Sequence, residues 1–581
     1  MNKTNVNHPD TLSAAITGSG GSGVVTAGQM LLKAVAAAGL FGLMTRSSGP
    51  QIRGGESAAM LRLGVKPVNN LDDKFDILLA FDWLNVTRFV DEIPLQPGSL
   101  IIRDPDAGEV PPELASDDIQ VLDAPLKSLA KTIDGGRPNM IGLGILAKLL
   151  GLPEAALRQV AAEHLEKKGE KAVEATQACI SLGHTQEWSE LPISPLEPPH
   201  TPPVRWNISG NEASCMGAVR GGVRFVAAYP ITPASEILEW LAPNLEKLGG
   251  SLLQAEDELA SVNMIIGSSF GGVPSLTATS GPGLSLMMEG LGLAVTSETP
   301  LVVSNVMRGG PSTGIPTKSE QSDLNIALYG FHGDAPHLVL AATNIGDCAF
   351  TTQWAVYLSE VLQTVAIVLS DQSQGQARSI IEPPAEPKEA YQRLLAKSPE
   401  EENHYQRYAL TEDCLSPMSI PGTEGCIYTA DGLEHNERGT PSSMTEDHLL
   451  QLDKRRNKID GFDYGEAWAD LQGEGENCII TWGSSSGAAF EAAQRLSQAG
   501  VPTRALALRL LAPLQKQKQQ NTLQGVSNAI VVEQNHGAQL YHYLNANQLL
   551  PPGTRSMAQP GPLPIRPGDV MAMMTQEADN D

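Results

Sequence analysis

No stretch of this 581-residue sequence is long and apolar enough to span a bilayer; Lys33 interrupts the most apolar run near the start, and no secretory signal heads the chain. Cysteine is sparse. The six, at 179, 215, 348, 414, 426 and 478, form no C-x-x-C pair, which excludes a disulfide framework and the usual zinc or iron–sulfur spacings. Basic residues are scarce as well: 40 Lys and Arg against 66 Asp and Glu leave a net charge of −26, which argues against nucleic acid or a membrane surface as partner. These absences predict a cytoplasmic α/β protein with reduced thiols, and the length predicts three to four domains.

Another absence is local: between Thr11 and Gly55 there is no Asp or Glu. Within that stretch Gly18-Ser-Gly20-Gly21-Ser-Gly23 follows a strand-like Ala14–Thr17 and opens an alanine-rich helical segment, Val25–Gly39. The loop satisfies the dinucleotide pattern G-x-G-x-x-G. A dinucleotide site also wants an acidic residue about 20 positions later for the ribose diol. Here Arg46 and Arg53 stand instead. Amide donors plus two arginines suit phosphates without a free diol, as in NADP or the phosphorylated ADP end of coenzyme A. The alternative is a tight βα turn whose glycines serve only packing.

Composition divides the rest. Residues 1–188 read as one α/β domain, with further strands at Ile77–Ala80 and Ser99–Ile102 and a charged helical end near Glu154–Ala178. Residues 189–204 are a proline-rich, extended linker. A second α/β domain is expected over 205–375, with strands at Val223–Ala228, Ser275–Thr279, Leu301–Asn305 and Thr364–Leu369. Residues 376–470 are polar and acidic with few strand signals, an irregular excursion of the kind that usually serves function or an interface. A third α/β unit over 471–581 holds the strands Cys478–Trp482 and Ala529–Glu533.

The second domain carries the chemistry. Its strand to Ala228 runs into Tyr229-Pro230-Ile231-Thr232-Pro233 and then a helix, the kind of corner where open α/β sheets bind ligands. Glu256-Asp257-Glu258 opens the next helix; one carboxylate there is a cap, and three exceed what a cap needs. Ser280-Gly281-Pro-Gly283 is a turn of small residues that a flat ring could approach closely. Arg308, in Arg308-Gly-Gly-Pro-Ser-Thr-Gly314, stands at the end of a strand, and arginine grips a carboxylate with two parallel hydrogen bonds. His435, between Glu434 and Glu437, is either a proton shuttle or a loop histidine that fixes an interface.

Taken together, Asn211…Gly217…Tyr-Pro-Ile-Thr-Pro, Glu-Asp-Glu-Leu-Ala, Thr279-Ser-Gly-Pro-Gly and Arg-Gly-Gly-Pro-Ser-Thr-Gly-Ile-Pro-Thr317 resemble the alpha subunit of 2-oxoacid:ferredoxin oxidoreductases, closest to the 2-oxoglutarate branch. The front domain, with Thr26-Ala-Gly28 and Gln51-Ile-Arg-Gly-Gly55, resembles the gamma subunit of these enzymes, and residues 478–540, with Trp482-Gly-Ser-Ser and Val532-Glu-Gln-Asn535, a transketolase C-terminal-like domain. The resemblance implies three α/β domains. It also implies oxidative decarboxylation of a 2-oxoacid on thiamine diphosphate, acyl transfer to coenzyme A, and electrons passed to ferredoxin.

By that resemblance, this chain holds the aminopyrimidine side of the cofactor, with Tyr229, Thr232 and Arg308 on the substrate and Pro230, Ile231, Ser280 and Gly281 on the ring. The activating carboxylate is Glu258, because thiamine enzymes place a helix glycine nine positions later, here Gly267; Glu256 misses that spacing. Gly18, Gly20, Gly21, Gly23, Arg46 and Arg53 become a candidate coenzyme A site. The family's Gly-Asp-Gly motif for Mg²⁺ and diphosphate does not occur, Gly346-Asp347-Cys348 being the nearest approach. Mg²⁺ and a [4Fe–4S] cluster are therefore expected on a beta subunit, in an α2β2 assembly. Another 2-oxoacid as substrate, or a non-catalytic assembly role, are the competing readings.

Overall fold

A computed structural model describes residues 9–48, 57–84, 86–187, 192–385, 393–398 and 405–576. The chain folds into two compact units. The front unit comprises Met1–Ser209, Ala377–Pro384 and Arg566–Gly568. Its eight-stranded sheet runs in the order Gln120–Asp123, Leu95–Arg103, Phe75–Ala80, Thr11–Gly18, Ser57–Gly64, Phe41–Ser48, Arg378–Ile381, Trp206–Ser209. Thr11–Gly18 is buried along nearly its whole length, as a strand covered on both faces must be. It pairs in parallel with Phe75–Ala80 and antiparallel with Ser57–Gly64.

Two features of this unit differ from the sequence expectation. The charged end is two helices, Glu154–Leu165 and Glu170–His184, interrupted at Gly169, whose φ of 90° no helix can contain. Beyond the linker, Trp206–Ser209 belongs to the front sheet rather than to the second domain, because Arg378–Ile381 pairs with it and with Phe41–Ser48.

The second unit contains Gly210–Gln376, Ala385–Ile565 and Asp569–Asp581. Its larger sheet orders Leu510–Ala512, Leu338–Ala341, Val365–Asp371, Leu301–Met307, Ser275–Thr279, Phe225–Ala228 and Ser251–Gln254, all parallel except the first. The smaller sheet orders Ala469–Gln472, Thr503–Leu508, Asn477–Trp482, Asn528–Glu533 and Arg555–Ala558. These two sheets share one apolar core, in which Ile480, Trp482 and Leu508 pack with residues such as Val303 and Leu340. The chain passes from Thr503–Leu508 directly into Leu510–Ala512 on the larger sheet, which fuses them into one body.

The excursion returns to the larger sheet at the amino-terminal ends of its strands. Arg393 meets Glu360 through two hydrogen bonds (2.7 and 2.8 Å) and donates to the Ser269 carbonyl (2.6 Å). From the helix Thr445–Asp460, Lys454 and Lys458 converge on the Glu298 carboxylate at 2.5 and 2.8 Å. Arg407 donates to the Glu298 carbonyl (2.8 Å). Burial alone would raise the Glu298 carboxyl, but Lys454 and Lys458 outweigh it and hold that group far below the usual carboxylate range. Ser269, Glu298 and Glu360 each lie where a helix turns back toward the start of a strand, so the excursion straps that edge.

Candidate active site

At the opposite, carboxyl-terminal edge, four adjacent parallel strands each release their chain into a corner. Phe225–Ala228 leads into Tyr229–Pro233 and the helix Ser235–Leu245. Ser251–Gln254 leads, after the bond from Ala255 N to the Ala228 carbonyl (3.0 Å), into the helix Glu258–Phe270. Ser275–Thr279 leads through Ser280 into the helix Gly281–Thr296, and Leu301–Met307 ends at Arg308. Thr232, Glu258, Ser280, Gly281 and Arg308 are thereby gathered from four separate segments onto one edge.

The Thr232 corner is held from below and from the side. Ala234 N and Ser235 N both donate to the Ile231 carbonyl (2.8 and 3.0 Å). Buried Asn211 donates to the Pro233 carbonyl (3.1 Å). Arg308 donates to the Thr232 carbonyl (2.5 Å), a direct tie between two of the three predicted substrate residues. Tyr229 stands 39% exposed at the lip, Pro230 is exposed, and Ile231 is partly buried against the core.

The three carboxylates of the acidic run separate cleanly. Glu256 is exposed, and Asp257 caps the helix by accepting from Ala260 N (2.7 Å). Glu258 alone turns inward, 6% exposed, and lies over Gly283: a Cβ there would stand 2.6 Å from Glu258 Oε1. Among the described residues no hydrogen bond or ion pair engages the Glu258 carboxylate. Arg308, 8% exposed, is in a similar state: its Nε is buried with no partner, and burial pushes the guanidinium below its usual range despite the Asp323 charge.

Asp323 is the residue that sequence reasoning missed. Its carboxylate accepts from Asn305 (2.9 Å) and sits against Gly281, where a Cβ would be 2.7 Å from Oδ1. Burial raises its carboxyl against the lowering effects of Asn305 and Arg308. The only signal in the sequence was an acid close behind the Arg308–Gly314 run. Gln321 anchors the same segment by donating to the Trp482 carbonyl (2.8 Å) and accepting from Gln534 N (2.7 Å).

Other candidates fall elsewhere. His435 is buried, its ring tilted by 32° against that of Tyr408 at 3.8 Å between centroids, with Nδ1 3.0 Å from the Leu433 carbonyl. It belongs to the strap at the amino-terminal edge. In the front unit Gly18, Gly20, Gly21 and Gly23 do form the turn between Thr11–Gly18 and the helix Val24–Ala37. The loop's first amide, Ser19 N, is occupied by the Asp82 carboxylate (3.0 Å), which Ser19 Oγ also reaches (2.8 Å). Arg46 is exposed on Phe41–Ser48, with Ser57–Gly64 lying between its strand and the loop's own. Arg53 lies outside the described residues.

Among the described residues, no group of three or more His, Cys, Asp or Glu could hold a metal ion, and no helix is long and apolar enough to cross a membrane. Family models match most of the chain. The one described as "Pyruvate flavodoxin/ferredoxin oxidoreductase, thiamine diP-bdg" covers residues 216–454, and "Pyruvate ferredoxin/flavodoxin oxidoreductase" covers 13–186. A Sulfolobus "2-oxoacid:ferredoxin oxidoreductase subunit alpha" is 30% identical, over 91% of both chains. The Archaeoglobus fulgidus "2-oxoglutarate synthase subunit KorA" is 36% identical over 57% of this chain and 88% of its own. The structure of "2-oxoglutarate:ferredoxin oxidoreductase from Magnetococcus marinus with 2-oxoglutarate, coenzyme A and succinyl-CoA bound" superposes with a TM-score of 0.90 at 34% identity, covering 97% of this chain and 99% of that one. With a thiamine-binding model lying over the edge that gathers Glu258 and Arg308, and a full-length relative at that level of identity, the chain belongs to the 2-oxoacid:ferredoxin oxidoreductase family, as an alpha subunit.

Proposed function

We propose that this alpha subunit binds the aminopyrimidine side of thiamine diphosphate at its carboxyl-terminal edge and acts there on 2-oxoglutarate. The observation that carries the reading is the pair of buried charged residues, Glu258 and Arg308, brought to one edge from separate strands and without an ion-pair partner among the described residues. A buried charge without a counter-ion is costly, and a site keeps one where a ligand completes it. The residues fit the cofactor: Glu258 presents a free carboxylate beside Gly283, and the Cβ-free Gly281 and Gly283 let a flat ring lie close. When bound, thiamine diphosphate supplies the nucleophilic carbon and the electron sink for decarboxylation.

This chain's own residues do the rest. Glu258 hydrogen-bonds a ring nitrogen and holds a proton there, a stabilisation that a sheltered carboxylate gives and an exposed one does not. Arg308, fixed by Thr232, receives the substrate's carboxylate with its remaining donors, Thr232 lining the same corner. Tyr229, Pro230, Ile231, Ser280 and Gly281 form the walls of the ring site.

The overall reaction is conversion of 2-oxoglutarate and coenzyme A to succinyl-CoA and CO2, or its reverse, with electrons exchanged with ferredoxin. The names of the Archaeoglobus and Magnetococcus proteins support that substrate. Coenzyme A is assigned to the front unit, at Gly18, Gly20, Gly21 and Gly23 with Arg46 and Arg53. Mg²⁺ and the [4Fe–4S] cluster are assigned to a beta subunit, in an α2β2 assembly whose interface closes over the cofactor. The test is viologen reduction by the chain with and without its partner, over a panel of 2-oxoacids. Activity only in the complex is expected, with 2-oxoglutarate favoured over pyruvate by about tenfold or more. Equal turnover of all oxoacids would remove the substrate assignment, and activity of the isolated chain would remove the partner.

A further inference from the structure

Besides Glu258, the carboxyl-terminal edge holds a second carboxylate, Asp323, to which the proposed reaction gives no role. The first turn of the helix Gly281–Thr296 keeps the two apart. Glu258 lies against Gly283, where a Cβ would stand 2.6 Å from its Oε1, and Asp323 against Gly281, at 2.7 Å from its Oδ1. Positions two apart on a helix do not share a face. Asp323 therefore belongs to the Arg308 side of the edge. Each of these two charges acts on the other, yet among the described residues no ion pair or hydrogen bond joins them. The guanidinium donates instead to the Thr232 carbonyl (2.5 Å), and its buried Nε has no partner.

The direct partner of Asp323 is an amide. Asn305, fully buried in the strand Leu301–Met307, donates from Nδ2 to Asp323 Oδ2 (2.9 Å), while its Oδ1 has no hydrogen-bond partner. Lysine or arginine in that place would suit only an ionised carboxylate. An amide suits both states, because Nδ2 donates to the ion and, turned over, Oδ1 accepts from the neutral acid. The other charge acting on Asp323 is Glu320, on its own segment. The helix Gln539–Ala546 packs against Leu324–Tyr329 and meets this segment through uncharged Gln539, which donates to the Ser322 carbonyl and accepts from Asn325 N (both 2.8 Å); its His542 is exposed. Burial raises the Asp323 carboxyl against the lowering by Asn305 and Arg308.

A carboxylate seated on Arg308 brings a second negative charge to this corner. Two carboxylates that share one cation in a sheltered place resist being ionised together. The carboxyl of a 2-oxoacid, drawn on by its neighbouring carbonyl, is the stronger acid, so the proton goes to the aspartate.

We propose that Asp323 takes up a proton as the 2-oxoacid carboxylate settles on Arg308, and releases it when that carboxylate leaves. The proton comes from solvent and returns there, so none is consumed. Asp323 is thus a positioning residue that acts through Arg308: ionised, it is the counter-charge of the empty guanidinium, and neutral, it yields the guanidinium to the ligand. This coupling rests on Arg308 as the seat of the carboxylate, as proposed above. Binding that takes up a proton weakens as pH rises. Affinity is flat below the Asp323 value of the empty site, falls by up to about tenfold per pH unit above it, and is flat again above the value of the filled site.

The test is isothermal titration of the full complex with 2-hydroxyglutarate, which keeps the carboxylate but has no carbonyl to react. Paired buffers of unlike ionisation heat count the protons taken up from about pH 5 to about pH 9. In the wild type the count should rise toward about one per ligand within that range, and the KM for 2-oxoglutarate should climb over the same interval. Asp323→Asn should abolish both dependences and bind about tenfold or more tightly than wild type at the alkaline end, with thermal unfolding unchanged. The smaller Asp323→Ser should do the same if the amide fits poorly against Gly281. No proton uptake in the wild type, or equal uptake in the variants, overturns the coupling. If Arg308→Ala weakens binding in that case, Arg308 keeps its substrate role and the coupling alone fails. If Arg308→Ala leaves binding unchanged, both fail.

Discussion

At the amino-terminal edge of the seven-stranded sheet, Glu298 is fully buried and met by two lysines, and Glu360 is gripped by Arg393 through two hydrogen bonds. At the carboxyl-terminal edge, Glu258 and Arg308 are nearly as buried, yet neither has an ion-pair partner among the described residues. The same residue types thus do opposite work at the two ends of the same strands. Where charge is matched within the chain, it holds the fold, because removing either partner strands the other in low dielectric. Where charge is buried and has no ion-pair partner among the described residues, in the proposed reading a ligand supplies it.

The largest effect expected from this contrast is on stability. Glu360→Ala leaves Arg393 uncompensated and should cost about 3–5 kcal/mol in unfolding free energy, read by denaturant titration, with kcat/KM per folded enzyme unchanged. A loss of activity without a loss of stability would show that the two edges are not separable. Arg308→Ala should do the reverse: roughly 2–4 kcal/mol lost from kcat/KM for the oxoacid, with unfolding unaffected. Unaltered kcat/KM would remove Arg308 from the substrate.

Glu298 gives a pH signature. Its carboxyl is held below the ordinary value of 4.5, so its contribution to stability is complete above that pH and is lost as pH falls through the lowered folded value. The stability gap between wild type and Glu298→Gln should therefore be widest near neutrality and narrow steadily below about pH 4.5. A gap that does not change with acid would mean that the lysines do not sustain the charge. Smallest of all, exposed Glu256→Gln should change stability by no more than about 0.5 kcal/mol and leave turnover intact.

Much of the site was legible in the sequence because parallel strands are short apolar runs, and each of the relevant ones ends in an unusual corner: two prolines around Thr232, small residues at Ser280–Gly283, an arginine at 308. The residues that escaped notice depend on non-local contacts. Asp323 gains its place only through Gly281 and Asn305, which lie on other elements. Trp206–Ser209 joins the front sheet only through Arg378–Ile381, a pairing across a whole intervening sheet. In the run Lys454-Arg-Arg-Asn-Lys458, Lys454, Arg455 and Lys458 are all buried; the i, i+4 spacing of the two lysines was the available sign that they share a helix face. The choice between Glu256 and Glu258 rests on spacing; in the fold Glu258 is buried and Glu256 exposed.

Glu258→Gln tests the central claim most directly. The substitution keeps the shape and removes the charge, so oxoacid-dependent turnover of the complex should fall by about 10² or more, with thermal unfolding unchanged and Glu256→Gln near wild type. Near-normal turnover in Glu258→Gln would contradict the account, and a large loss in Glu256→Gln alone would move the activating carboxylate to the exposed position.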